Sequence, residues 1–136
     1  MKEIQSTIRY RVPMYDMDPM QVVWHGNYFN YFELARSELF TSRGIHLIEF
    51  AKDAGIVFPV VKSSARYTRP LEWRDEFTCT ARLLDARHKI VVEFEIRRVS
   101  DQALCATGRT EQVAVDARTR ELLYQIPKAI RDALSK

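Results

Sequence analysis

The chain has 136 residues and a mass of 16.0 kDa, the size of one domain, residues 1–136, built around a single core. It is 46% hydrophobic and 29% charged, and 21 basic against 18 acidic residues leave a net charge of only +3, which requires no nucleic-acid partner. Its glycines, Gly26, Gly44, Gly55 and Gly108, are too scattered for a phosphate-cradling loop or a G-x-S-x-G elbow, and Cys79 and Cys105 are too few for a disulfide framework or a Cys-rich zinc site.

The first residues carry no apolar signal region, and no stretch approaches the roughly 18 continuous apolar residues of a membrane span. The chain therefore reads as cytoplasmic, with both cysteines as free core thiols. Ile8, Tyr10 and Val12 alternate with Thr7, Arg9 and Arg11, a half-buried strand that ends at Pro13. A loop over 14–26 leads into a helix over 27–43, whose apolar stripe at positions 28, 31, 32, 35 and 39 has helical spacing and which Gly44 terminates. Phe29, Leu34 and Phe40 widen that stripe, so the helix is expected to be buried on most sides.

Residues 45–54 read as a short helix or turn, and 55–68 as a strand disturbed by Pro59. Phe77, Cys79, Ala81 and Leu83 alternate with polar neighbours, as do Ile90, Val92, Phe94 and Ile96. These two antiparallel strands join near Ala86-Arg87-His88. A long strand follows over about 103–115, with Gly108 as an expected bend or bulge, and Pro127 opens a short helix over 127–135. The order is that of an α+β domain with helix and sheet segregated, whose open sheet edges favour dimerisation by sheet extension.

The segment Tyr15-Asp16-Met17-Asp18-Pro19-Met20-Gln21-Val22-Val23-Trp24-His25-Gly26-Asn27-Tyr28 is the chemically informative one. It carries carboxylates into the N-terminus of the central helix, where free backbone N–H groups favour negative charge. A carboxylate beside such an anion-stabilising end suits acyl transfer, the first as nucleophile or general base and the second as an oxyanion hole. Taken singly, Asp16 and Asp18 fit turn capping equally well, and His25 fits a neighbour of the helix cap. No third ligand accompanies them, and His46 and His88 lie on distant elements, so no metal is expected.

The pattern D-x-D-P-x-x-V-V-W-H-x-N-Y, continuing into Tyr31-Phe32-Glu33-Leu34-Ala35-Arg36, resembles the signature of hotdog-fold acyl-CoA thioesterases of the 4-hydroxybenzoyl-CoA thioesterase family, its histidine being closer to the YbgC-like branch. The element order agrees over nearly the whole chain. The resemblance implies a hotdog fold, a long central helix wrapped by a curved antiparallel sheet of about five strands. It makes Asp18 the catalytic carboxylate, attacking the thioester or activating water, while the backbone N–H at His25 or Gly26 polarises the carbonyl. The His25 side chain would add a hydrogen bond or assist the leaving thiolate. Tyr15 and Asn27 become supports of the loop, with Asn27 as the helix N-cap. Glu33 is a second candidate acid, against a structural pair with Arg36.

Arg87-His88-Lys89 corresponds in position to a basic segment that contacts coenzyme A in that family, against the alternative of a solvated hairpin tip. Fifteen of the 21 basic residues are arginine, the residue suited to phosphate, although their even spread also fits solvated strand faces. Phe58-Pro59-Val60 with Trp24, Tyr28 and Tyr31 would line the acyl pocket. The implied protein is a homodimer or homotetramer hydrolysing acyl-CoA, with an acyl-carrier protein as an alternative carrier and no metal or organic cofactor. Two other classes stand beside it. A hotdog hydratase or dehydratase resembles D-x4-H, whereas six residues separate Asp18 from His25 here, and a non-catalytic acyl-CoA binding module would use the same pocket.

Overall fold

The computed structural model of the chain describes residues 3–135. The elements run β1 (Gln5–Arg11), a 3-10 turn (Met14–Asp16), α1 (Asn27–Ser42), α2 (Leu47–Ala54), β2 (Ile56–Val57), β3 (Val60–Tyr67), β4 (Glu76–Asp85), β5 (Ile90–Arg98), β6 (Leu104–Gln112), β7 (Val115–Asp116) and α3 (Lys128–Ala133). Five strands form one antiparallel sheet in the order β1-β4-β5-β6-β3, and β2 pairs with β7 in a small ribbon. No helix among the described residues is long and apolar enough to cross a membrane.

Alternation in the sequence decides which face of the sheet meets α1. Phe77, Cys79 and Ala81 of β4 and Ile90, Val92, Phe94 and Ile96 of β5 are buried beneath the helix. The opposite face carries the charge. Arg9 pairs with Glu76 at 2.6 Å, Arg97 with Glu95 at 2.7 Å, Lys89 with Glu111 at 3.1 Å, and Arg82 with Glu93. Arg9 and Arg82 thus pair between strands, and Arg97 within β5, at a solvated surface.

The α1 stripe at Tyr28, Tyr31, Phe32, Ala35 and Leu39 is buried, as its spacing predicts. Burial on most sides does not follow, because Leu34 is 46% exposed while Phe40 is buried and Phe29 half-buried. The sheet covers one side of the helix, and position 34 falls on the other. Gly44 ends α1 with φ at +73°, and the Ile45 N–H closes back on the Phe40 carbonyl at 2.9 Å.

Gly108 is not a bulge. It pairs in register with Phe94 on one side and Ala65 on the other, and the irregularities of the sheet fall at Val60/Lys62, Leu83/Asp85 and Ile96/Arg97. The glycine is required by packing, since a Cβ at this position would overlap the ring of Phe32, which is fully buried and stacks on Phe94 at 4.6 Å. The strand expected over 103–115 divides instead beyond Gln112, where Val113 N–H reaches the Pro59 carbonyl at 3.2 Å and the chain leaves the main sheet for β7. The partner strand divides at Phe58-Pro59 for the same reason. Both cysteines are free and buried, and burial raises the Cys79 thiol to about 12.

Gly108→Ala should overpack the helix-to-sheet contact and lower stability by roughly 1–3 kcal/mol, read as a fall in the urea midpoint at unchanged slope. Stability equal to the parent chain would show that Phe32 has room to move. A second expectation concerns pH. Desolvation raises the hydroxyls of Tyr28, Tyr31 and Tyr67 above the ordinary tyrosine value, that of Tyr31 furthest, with the hydrogen bond to Asp16 adding to it. The unfolded chain therefore ionises first, so stability should be constant with respect to these groups below about pH 10 and fall as pH rises beyond it. A urea midpoint that does not drop in alkali would contradict this burial.

Candidate active site

The loop between β1 and α1 is tied to the helix through Asp16. Its backbone carbonyl accepts the Trp24 N–H at 3.0 Å and the Asn27 side-chain amide at 2.9 Å, and its carboxyl Oδ2 accepts the Tyr31 hydroxyl at 2.6 Å. Tyr31 lies one turn into α1 and is itself buried against Tyr10 and Phe77. Asn27 is consequently not the N-cap: it is the first helical residue, its amide is drawn to Asp16, and Gly26 occupies the cap position. Tyr15, expected as a support, is 83% exposed, and Asp16 does that work instead.

Asp18 is the second acid of the pair and is held differently. Its backbone N–H bonds the Val22 carbonyl at 2.8 Å and its carbonyl accepts the Gln21 N–H at 2.9 Å, closing a tight turn in which Gln21 takes φ of +65°. Among the described residues the carboxylate meets only the Met20 N–H at 2.8 Å, leaving its second oxygen open. Asp18 lines a cavity of about 360 Å³ together with His25, Tyr28 and Tyr67, and it also borders a second one of about 500 Å³ lined by Met14, Met17, Met20 and Trp73.

The start of α1 borders the same cavity as Asp18. The backbone N–H groups of His25 and Gly26 have no hydrogen-bond partner among the described residues, whereas those of Asn27, Tyr28 and Phe29 turn back on the carbonyls of Trp24, His25 and Gly26. A helix end of this kind presents donors and partial positive charge. Gly26 has helical backbone angles, and what excludes a side chain is the Trp24 indole, which a Cβ at Gly26 would overlap. Tyr28 is buried, and its hydroxyl accepts the Leu71 N–H at 3.2 Å.

Of the residues singled out from sequence, Asp18, Trp24, His25, Gly26, Asn27 and Tyr28 therefore gather at one end of the sheet. Phe58, Pro59, Arg87, His88 and Lys89 do not join them within the chain. Ile90, Gln112 and Val60 are paired in register, so both segments sit at the opposite end, a strand length away. Phe58 is buried, with its carbonyl accepting the Gln112 amide at 2.9 Å. His88 Nδ1 lies 3.0 Å from the Tyr124 carbonyl, and Lys89 is bonded to Glu111. Glu33 forms its ion pair with Arg36, whose guanidinium is buried and also bonds Thr110 at 3.1 Å. Tyr67, Thr68 and Arg69, which line the Asp18 cavity, are not legible from sequence: Tyr67 ends β3 and the other two follow it, and only the fold brings them to the helix start. Among the described residues no group of three His, Cys, Asp or Glu side chains could hold a metal.

Comparison with known proteins agrees with this architecture. Residues 12–134 match the family model of the thioesterase-like superfamily. The Synechocystis sp. protein sll0410 is 28% identical over 131 residues, covering 95% of this chain and 78% of its own length. A 1,4-dihydroxy-2-naphthoyl-CoA hydrolase of Rippkaea orientalis is 26% identical over 123 residues, covering 89% of this chain and 86% of its own. Among solved structures, a mutant 4-hydroxybenzoyl CoA thioesterase complexed with 4-hydroxybenzoyl CoA superposes with a TM-score of 0.87 at 20% identity, over 97% of this chain and 99% of its own. The chain thus has the hotdog fold and belongs to the thioesterase-like superfamily.

Proposed function

We propose that the protein is an acyl-CoA thioesterase, hydrolysing the thioester to a free acid and CoA. The observation that carries this reading is that Asp18 and the start of α1 line one cavity, with one Asp18 carboxylate oxygen and the N–H groups of His25 and Gly26 unpartnered among the described residues. A thioester carbonyl oxygen received by the Gly26 or His25 N–H is stabilised as negative charge develops on it. Asp18 then acts in one of two ways. As nucleophile it bonds to the carbonyl carbon, the carbon–sulfur bond breaks to release CoA thiolate, and water hydrolyses the resulting anhydride. As general base it takes a proton from a water that attacks the same carbon, and the same bond breaks. The His25 ring, exposed beside Trp24 at 5.2 Å, would add a hydrogen bond or assist the leaving thiolate. The superfamily match and the relatives that act on CoA thioesters support the substrate class.

The sheet edge supports a homodimer, with a homotetramer as its further assembly. β3 is an edge strand exposed along nearly its whole length, and it carries Val60, Val61, Ser63 and Ser64. The other edge, β1, carries Arg9 and Arg11 engaged with Glu76, which disfavours pairing there. Antiparallel pairing of two β3 strands about a two-fold axis reverses the ends of the sheet. Phe58 and Pro59 and the Arg87-His88-Lys89 turn of a second copy then approach the Asp18 end of the first, where they serve the acyl group and the phosphates of CoA. An acyl-carrier protein thioester fits the same chemistry. The free buried thiols support a reducing cytoplasm, and residues 1–136 act as one domain.

Asp18→Asn keeps an acceptor for the Met20 N–H, so the fold should persist while turnover of acyl-CoA falls about 10²–10⁴-fold, followed as thiol release. Near-normal hydrolysis of several acyl-CoAs by this variant would remove Asp18 from the chemistry, and absence of thiol release by the unmodified protein would favour a binding module.

A further inference from the structure

The hydroxyl of Tyr67 makes a contact at the helix start to which the mechanism above gives no role. Tyr67 is the last residue of β3, paired with Ala106, and its alternation with Ala65 turns it toward α1. Its Oη donates to the His25 backbone carbonyl at 3.0 Å, and the direction is unambiguous because a carbonyl only accepts. The ring is located by two edge contacts, Tyr28 at 5.1 Å and His25 at 6.2 Å between centroids. Tyr28 is in turn fixed by burial and by the Leu71 N–H.

The carbonyl that Tyr67 grips and the N–H of Gly26 belong to one peptide unit. That unit is planar and trans, so its C=O and N–H point in opposite directions, and fixing the first aims the second. Among the described residues the carbonyl has one other partner, the Tyr28 N–H, at a long 3.4 Å. Tyr67 is therefore its shorter bond. A donor on the carbonyl oxygen also polarises the amide and makes its N–H a stronger donor. We propose that Tyr67 is a positioning residue for hydrolysis, holding and polarising the His25–Gly26 peptide so that the Gly26 N–H meets the thioester oxygen as charge builds on it. This rests on the thioesterase reading. It adds to it a residue from the edge strand that acts through the backbone and never touches the substrate carbonyl.

The role separates from mere support of the helix start because it belongs to the transition state. Tyr67→Phe keeps the ring contacts and removes only the hydroxyl. It should lower kcat about tenfold, less than the 10²–10³ typical of deleting an oxyanion donor itself, with KM within about twofold of the parent value. The thermal midpoint and circular dichroism should match the parent, and the pH profile of kcat should keep its shape because Tyr67 transfers no proton. In the amide NMR spectrum of the free protein, the Gly26 proton should move upfield, a readout that needs no turnover. A kcat within twofold of the parent, a loss confined to KM, or an unmoved Gly26 amide would overturn the proposal. Where Asp18→Asn abolishes hydrolysis and Tyr67→Phe leaves it intact, the thioesterase reading stands and this role falls. Absence of Asp18-dependent hydrolysis in the parent protein would overturn both.

Discussion

The arrangement of the candidate active site depends on one residue, Asp16, whose carbonyl and carboxyl oxygens together bind Trp24, Asn27 and Tyr31. Other ties help, the buried Val23 bonding the Leu71 carbonyl at 2.8 Å among them, but Asp16 is the residue that joins the loop directly to the first turn of α1. Tyr31 makes the anchor rigid because it is a core residue, wedged between Tyr10 and Phe77. The loop thereby takes its position from the hydrophobic core. Asp18 follows two residues later, in a turn closed by its own backbone, so its carboxylate binds the Met20 N–H alone among the described residues and keeps one oxygen open. The two acids of one short motif thus divide the labour. One is consumed by structure, and the other is left available for chemistry.

The close approach of helix and sheet is the second constraint. Phe32 sits over Gly108 and Phe94, and no other residue type fits at 108 without displacing that ring. α1 lies near enough to the sheet for Tyr67, on β3, to reach the carbonyl at its first turn. A strand residue can therefore influence a backbone donor on the helix. Packing in the middle of the domain and polar geometry at its end are linked through the same helix.

The fold was largely legible in the sequence because its signals are periodic. The α1 stripe, the alternation in β4 and β5 and the stop at Gly44 each follow from one local rule, and the loop motif pointed to the superfamily before any geometry was known. The failures have a common physical cause, which is that they depend on contacts between elements distant in sequence. Gly108 read as a bend because nothing in its own strand reveals Phe32 above it. Asn27 read as a cap because the competing demand of Asp16 lies 11 residues earlier and appears only when the loop folds back. Tyr67 carried no sequence signal at all. For Phe58, Pro59 and Arg87 to Lys89, likewise, it is the strand register and no local pattern that puts them, within one chain, at the end of the sheet away from Asp18.

The central claim is that Asp18 and the start of α1 grip one thioester between them. Its most direct test is a structure of the Asp18→Asn variant with an intact acyl-CoA bound. The thioester carbonyl oxygen should lie within hydrogen-bond distance, about 2.7–3.1 Å, of the Gly26 or His25 nitrogen, with its carbon facing the substituted side chain at position 18. A thioester bound elsewhere, such as in the cavity of about 520 Å³ between α1 and α2 that Arg36 and Ile48 line, with the helix start empty, would contradict the account.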